Sequence, residues 1–175
     1  MKKQKTNFKW IGLITSLAFI LSLLLSLLSE LVIPNTIVII SIILVIIFIS
    51  LGILFDIIGV AATTADEKVF HSMASQKIKG AKQAIKLITK KDKVSSFCND
   101  VIGDICGVIS GSCGVTIALK LSESMNISLL TITLITTSII SSLTIGGKAL
   151  GKSVAVNNSN KIISFVGKIL TVKEK

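Results

Sequence analysis

The sequence predicts an all-α integral membrane protein with four transmembrane helices and amphipathic interfacial helices at the membrane surface. The 175 residues are 51% hydrophobic, and the mean hydropathy is +0.84. Uncharged apolar runs of about 20 residues are long enough to cross a bilayer as helices. No run alternates polar and apolar residues as a half-buried strand does. Helices are therefore expected, because within a bilayer the backbone is satisfied only in helices or closed barrels.

The basic residues are concentrated between the apolar runs. The net charge is +10, and every basic residue is a lysine. Lysines beside membrane spans are explained by topology and by anionic headgroups. Lysine also lacks the bidentate geometry with which arginine recognises phosphate. We therefore expect membrane lipids as partners and no nucleic acid.

The first span is expected within residues 1–35. Four lysines precede Trp10, and residues 10–29 are free of charge. This run is too long for the apolar region of a signal peptide, and no clear small-residue cleavage site follows it. We interpret it as an uncleaved span with Trp10 as an anchor at the interface.

The second span is expected at about residues 36–62, with Asp56 either within the inner leaflet or at its boundary. Residues 63–93 then form a polar segment with eight lysines and three acidic residues. The excess of lysine places this segment in the cytoplasm. Its apolar stripe, which includes Phe70 and Ile88, predicts amphipathic helices on the inner membrane surface.

The third span, at about residues 95–119, carries the polar groups that need an explanation. Asn99, Asp100 and Asp104 lie inside it, and a charge within a span needs a partner or a function. Two carboxylates four residues apart on one helix face would not both ionise without a cation, a lysine or a shared proton. Glycines four residues apart predict close packing of another helix, and we expect a homodimer formed through this stripe: Gly103, Gly107 and Gly111.

The fourth span is expected at about residues 126–146. The segment GGKALGKS, residues 146–153, is expected to break the apolar run ahead of an interfacial helix at 158–171. It matches the pattern G-x-x-x-x-G-K-[ST]. The preceding run has the length of a span rather than of a strand, so we do not expect a nucleotide ligand. Four spans leave both termini and the lysine-rich segment in the cytoplasm.

The sequence offers no pattern typical of an enzyme, and we expect no catalytic activity. His71 is the only histidine, and it lacks neighbouring metal ligands. The three cysteines, Cys98, Cys106 and Cys113, all lie in the third span. We interpret them as small packing residues.

Three short segments resemble the membrane domain of the cyclin-M/CorC magnesium transporter family. Residues 55–82, FDIIGVAATTADEKVFHSMASQKIKGAK, resemble its first span and the following basic segment, which ends in G-A-K/R. Residues 84–97, AIKLITKKDKVSSF, resemble the pattern A-L-x-L-L-x-x-P-x-x-L-L-S. Residues 147–155, GKALGKSVA, resemble G-E-I-x-P-K-x-x-A. The resemblance covers roughly residues 36–170.

The resemblance implies a transporter-like membrane domain over residues 36–175, with three spans and a belt of short helices. Residues 1–35 would be an additional span. Members of the family are usually homodimers that carry cytoplasmic CBS and CorC-type domains, which we expect to be missing here. The implied function is transport of a divalent cation, with Mg²⁺ as the ion. The implied location is the bacterial inner (plasma) membrane.

The resemblance also transfers the family's cation site onto this chain. The family's cation-binding serine falls on Asp56, and its second-span asparagine falls on Asn99, or on Ile102 after a three-residue slip. The glycine and glutamate of its G-E motif fall on Gly147 and Lys148. The candidate metal ligands are then Asp56, Asn99, Asp100, Asp104 and Gly147.

Two interpretations of these residues stay open. In the first, Asp56, Asp100 and Asp104 rebuild a site with the oxygen ligands that suit Mg²⁺. In the second, Lys148 is the counter-charge to Asp56 or Asp100, as is usual for ionisable groups in membranes. The second interpretation implies a non-transporting scaffold or regulatory module that binds a partner protein through its basic cytoplasmic face.

Overall fold

The computed structural model describes residues 8–32 and 37–173, and the regular structure of these ranges is helical. Four of its segments are long and apolar enough to cross a membrane. The chain is therefore an all-α multi-pass membrane protein, as the sequence predicts. The elements in order are α1 Phe8–Val32, α2 Val38–Thr64, α3 Glu67–Ser75, α4 Ala81–Thr89, α5 Lys91–Ser95, the π-helix π1 Ser96–Gly103, α6 Asp104–Met125, α7 Leu129–Asn157 and α8 Ser159–Lys173.

The third span is the centre of the bundle. It runs over Lys91–Met125 through α5, π1 and α6, and 56% of its apolar stretch is buried. The corresponding fractions are 22% for α2, 11% for α7 and 0% for α1. Helices α2 and α7 pack on α6 and on each other, and α1 packs against α6. The buried core between them consists of Val45, Ile49, Val101, Ile105, Ile109, Cys113, Ile117 and Ile140.

Helix α7 continues past the point where the sequence predicts its end. The sequence places the end of the span at about residue 146, and the helix itself continues through residues 146–153 to Asn157. Glycine in a helix costs about 1 kcal/mol relative to alanine. Here the missing side chains allow close contact with α2, since a Cβ on Gly147 would collide with Ile53 and one on Gly151 would collide with Ile57. Packing on α2 therefore offsets the local preference. The segment has no strand–loop–helix geometry of a phosphate loop.

Short amphipathic helices cover the end of the bundle at which α2 and α7 end. Helices α3, α4 and α8 share one apolar cluster with the ends of the two spans. Gly80 begins α4 at a φ of +91°, a conformation that favours glycine. A Cβ there would lie 2.7 Å from the Lys168 backbone nitrogen, so this position also holds α4 against α8. The cluster consists of Ala61, Ala62, Phe70, Ala84, Ile88, Ala155 and Ile163.

Candidate ion site between α2 and π1

Asp56 is a buried carboxylate inside a membrane span. It lies in α2 and is 4% exposed, eight residues before the helix ends at Thr64, or about 12 Å along the axis. Its Oδ2 is buried and has no hydrogen-bond partner among the described residues. An ionised carboxylate without a partner costs several kcal/mol when it is removed from water. The position therefore needs a cation or a proton.

Asn99 supplies a second buried oxygen on the same interface. Its Nδ2 donates to Ser95 Oγ at 3.3 Å, while its Oδ1 is buried without a hydrogen-bond partner in the described part of the chain. The side chain lies directly on Gly59 of α2, where any Cβ would collide with Asn99 Oδ1. The glycine thus creates the space in which this amide sits.

The spacing of small residues on α2 locates Asp56 relative to Asn99. Gly52, Asp56 and Gly59 are four and three residues apart, so they share one helix face. Gly52 packs against the third span, where an added Cβ would lie 3.1 Å from Cys106 Cβ. Gly59 packs against Asn99 of π1. Asp56 lies between these two contacts. It is one turn of α2 before Gly59, on which the side-chain amide of Asn99 packs.

The irregular helix π1 presents Asn99 to α2. In a π-helix each turn contains an additional residue, and such turns often occur at functional sites. Residues Ser96–Gly103 adopt this geometry before α6 continues as a regular helix. The sequence predicts one uninterrupted helix here. Local propensities for π-helix are weak, and the packing on Gly52 and Gly59 arises only in the fold.

Lys148 pairs with Asp104. Its Nζ lies 3.2 Å from Asp104 Oδ1, and it would lie 3.5 Å from a Cβ on Gly103. The pairing with Asp56 or Asp100 that the sequence suggests is not formed within residues 8–32 and 37–173. The lysine lies at the level of Gly52, one turn along α2 from Asp56.

The three aspartates do not converge on one point. The Asp104 side chain is 69% exposed, and Asp100 is exposed as well. The described residues contain no group of three or more His, Cys, Asp or Glu side chains that could hold a metal ion. Gly147 packs against Ile53. Of the candidate ligands, Asp56 and Asn99 are the two whose oxygens are buried on a common interface.

Close helix contacts use other glycines than the sequence suggests. Gly103 is buried in contact with α2, but Gly107 and Gly111 have open space where a Cβ would lie. The homodimer contact that the sequence predicts at these two glycines stays a prediction. Gly147 and Gly151, which do pack against α2, also have this four-residue spacing, so the sequence contains a signal for them. The glycines whose Cβ would meet a neighbouring helix are Gly52, Gly59, Gly114, Gly147 and Gly151.

The histidine and the cysteines form no ligand set. His71 lies on the surface of α3, 3.4 Å from Glu67 Oε1. The three cysteines are free and buried along the third span. Their positions agree with the interpretation of these residues as packing side chains.

Comparison of the chain with protein-family models, curated proteins and solved structures gave no match. The resemblance to the cyclin-M/CorC membrane domain therefore rests on the sequence motifs alone and stays a prediction.

Proposed function

We propose that this chain is a divalent-cation transporter, or an ion-binding relative of one, whose ion is bound by Asp56 and Asn99. The observation that carries the proposal is the pair of buried oxygens, Asp56 Oδ2 and Asn99 Oδ1, which lack hydrogen-bond partners among the described residues. A cation between them would compensate the buried charge. Carboxylate and amide oxygens are the ligands that hard divalent cations take.

The chemistry of the two ligands suits Mg²⁺, the ion that the motif resemblance suggests. Mg²⁺ is commonly held by one or two carboxylates and keeps several of its waters. Asp56 would supply the negative charge. Asn99, held by its hydrogen bond to Ser95, would supply a neutral oxygen in a fixed orientation.

The proposed mechanism is a rocking of α2 against the third span around this site. On one side of Asp56, the tight contact of Gly52 with α6 blocks passage, and Lys148 lies at the same level. A cation would be repelled by this ammonium group. The contact must therefore loosen before an ion can move from the site toward the far end of the bundle.

We propose an orientation in the inner membrane with both termini in the cytoplasm. The positive-inside rule supports this orientation, because residues 63–93 contain eight lysines. Asp56 and Asn99 then lie in the cytoplasmic half of the bilayer.

We further propose that the chain forms a homodimer through the exposed face of the third span. Asp100 and Asp104 are exposed on that span, and Gly107 and Gly111 leave open space on α6. Carboxylates facing lipid are costly, and small residues allow a second helix to approach closely. A second copy would shield the acids.

The proposal is tested by Mg²⁺ uptake into proteoliposomes that contain a trapped magnesium-sensitive dye. Asp56→Asn keeps the shape of the side chain and removes its charge. We expect uptake to fall by about tenfold or more, because even groups that only orient a ligand change metal affinity by that factor. Mg²⁺-dependent thermal stabilisation of the purified protein should be lost with it.

Asp100→Asn is the matched control, since it removes an exposed acid next to Asn99. We expect uptake by this variant to stay about the same as that of wild type, because the exposed Asp100 side chain is not part of the buried interface of Asp56 and Asn99. If Asp56→Asn transports normally, the proposed site is wrong. If only Asp100→Asn and Asp104→Asn lose uptake, the exposed acids bind the ion instead.

The second candidate function is a membrane scaffold or regulatory module that binds a partner protein. The observation that favours it is the set of lysines exposed on the short helices, including Lys82 and Lys86 of α4. This function predicts no Mg²⁺ uptake by the wild-type chain. It also predicts co-purification of one specific protein that is lost when Lys82 and Lys86 are changed to glutamine.

A further inference from the structure

A groove opens at the end of the bundle that carries the short helices. It has a volume of about 500 Å³ and is lined by residues from α1, α2, α4, α5, π1 and α8. This volume lies within the range of about 300–1,000 Å³ that is typical of sites for small organic molecules. The walls are apolar, with Phe55 and Ile58 from α2 and Phe97 from π1.

The charged side chains of the described residues that line the groove are all positive. Among the described residues, Lys90 and Lys93 are the charged ones that line the groove, and none of the lining residues is acidic. Both lysines are exposed. The groove thus combines apolar walls with two cationic groups.

Trp10 fixes the level of this groove relative to the membrane. It lines the groove from α1, and Lys93 Nζ lies 4.5 Å from the centre of its ring. Tryptophan is enriched at the boundary between headgroups and acyl chains. Lysines near the end of a span reach toward the same boundary. The cationic part of the groove therefore lies where lipid phosphates lie, and the apolar part lies where acyl chains begin.

We propose that this groove is a binding site for one acidic phospholipid. The phosphate and the additional negative charge of the headgroup pair with Lys90 and Lys93, and an acyl chain lies against Phe55, Ile58 and Phe97. The charge selects acidic over zwitterionic lipids. The apolar walls select a lipid over free phosphate. This assignment is independent of the ion site, because neither Asp56 nor Asn99 lines the groove.

Trp10 makes the site directly measurable, because it is the only tryptophan and the chain has no tyrosine. The experiment reconstitutes the full chain with phosphatidylglycerol or phosphatidylcholine that carries the same brominated acyl chains. Bromine quenches tryptophan on contact. We expect Trp10 to be quenched at a lower mole fraction of brominated phosphatidylglycerol than of brominated phosphatidylcholine, by about tenfold or more for two lysines near a lipid surface.

The variant Lys90→Gln with Lys93→Gln should abolish this preference for the acidic lipid. Lys79→Gln with Lys82→Gln is the matched control, since it removes the same charge from exposed positions outside the groove. It should keep the preference. Quenching is expressed relative to each variant without bromine, so that the lost contact of Lys93 with Trp10 does not enter the comparison.

Three results would overturn the proposal. Equal quenching by the two lipids would mean that the groove holds any lipid. Equal losses in both lysine pairs would mean that bulk attraction to an acidic surface, and no site, causes the preference. Relief of quenching by inorganic phosphate at constant ionic strength would mean that the lysines bind the free anion.

Discussion

Two aspartates of the membrane spans have opposite environments. Asp56 is 4% exposed, and its Oδ2 has no partner among the described residues. The Asp104 side chain is 69% exposed, yet it pairs with Lys148 at 3.2 Å. The group that most needs a counter-charge is the one that the fold leaves without a lysine.

The difference follows from the residues that pack beside each acid. On α2, Gly52 and Gly59 bring the third span so close that a long cationic side chain has little space beside Asp56. Asp104 is at the surface of the bundle, where Lys148 can extend from α7 over Gly103. The first environment is the one in which we propose a bound cation, and the second holds a resident lysine.

The largest effect on stability is expected for Gly59→Leu, because the leucine side chain would fill the space that the Asn99 amide occupies. Its side chain would displace the amide and separate α2 from π1, and overpacking of this kind costs about 1–3 kcal/mol or more. Gly107→Leu is the control, because it makes the same change in open space. The free energy of unfolding is measured by denaturant titration in detergent micelles.

Adding Asn99→Ala to Gly59→Leu should restore part of the lost free energy of unfolding. The coupling between contacting residues is typically about 0.5–3 kcal/mol. If Gly59→Leu is as stable as Gly107→Leu, Asn99 does not lie on α2 as described, and the comparison between the two aspartates loses its basis.

A smaller effect on stability, of opposite sign, is expected for Asp56→Asn in the absence of divalent cations. Removing an uncompensated buried carboxylate should raise the free energy of unfolding by about 1–3 kcal/mol. Asp104→Asn should lower it by about 1 kcal/mol, because it removes the charge partner of Lys148 but keeps a hydrogen-bonding group between the two spans. The same titration with a chelator present measures both. A destabilised Asp56→Asn would mean that the carboxylate has an attractive partner in the apoprotein.

The smallest effect on folding is expected for Gly107→Leu, which tests what covers the Asp104 face. Within one chain the change should alter stability by no more than about 0.5 kcal/mol. In a dimer formed through this face, the leucine would prevent close approach and release monomers. Chemical crosslinking in membranes or light scattering in detergent measures the oligomeric state. Gly12→Leu on α1, also in open space, is the control, and equal dimer content in both variants would exclude this interface.

Composition and periodicity predict the elements well, because both depend on residues close together in sequence. Four apolar runs identify the spans. An apolar stripe that includes Phe70 and Ile88, in a segment rich in lysine, identifies the surface helices. The failures occur where a distant helix changes a local preference. Gly147 would end a helix in water, but it continues α7 because Ile53 of α2 occupies the space of the missing side chain.

The candidate site divides in the same way. Asp56 and Asn99 are recognisable in sequence as polar groups inside spans, for which the bilayer demands a reason. Their common interface depends on Gly59 and on the π-helical turn, which are tertiary features. The sequence by itself therefore determined that this chain is a helical membrane protein with costly polar groups in its interior. The tertiary structure decided which of them meet, because the glycines that bring helices into contact act only when the helices are packed.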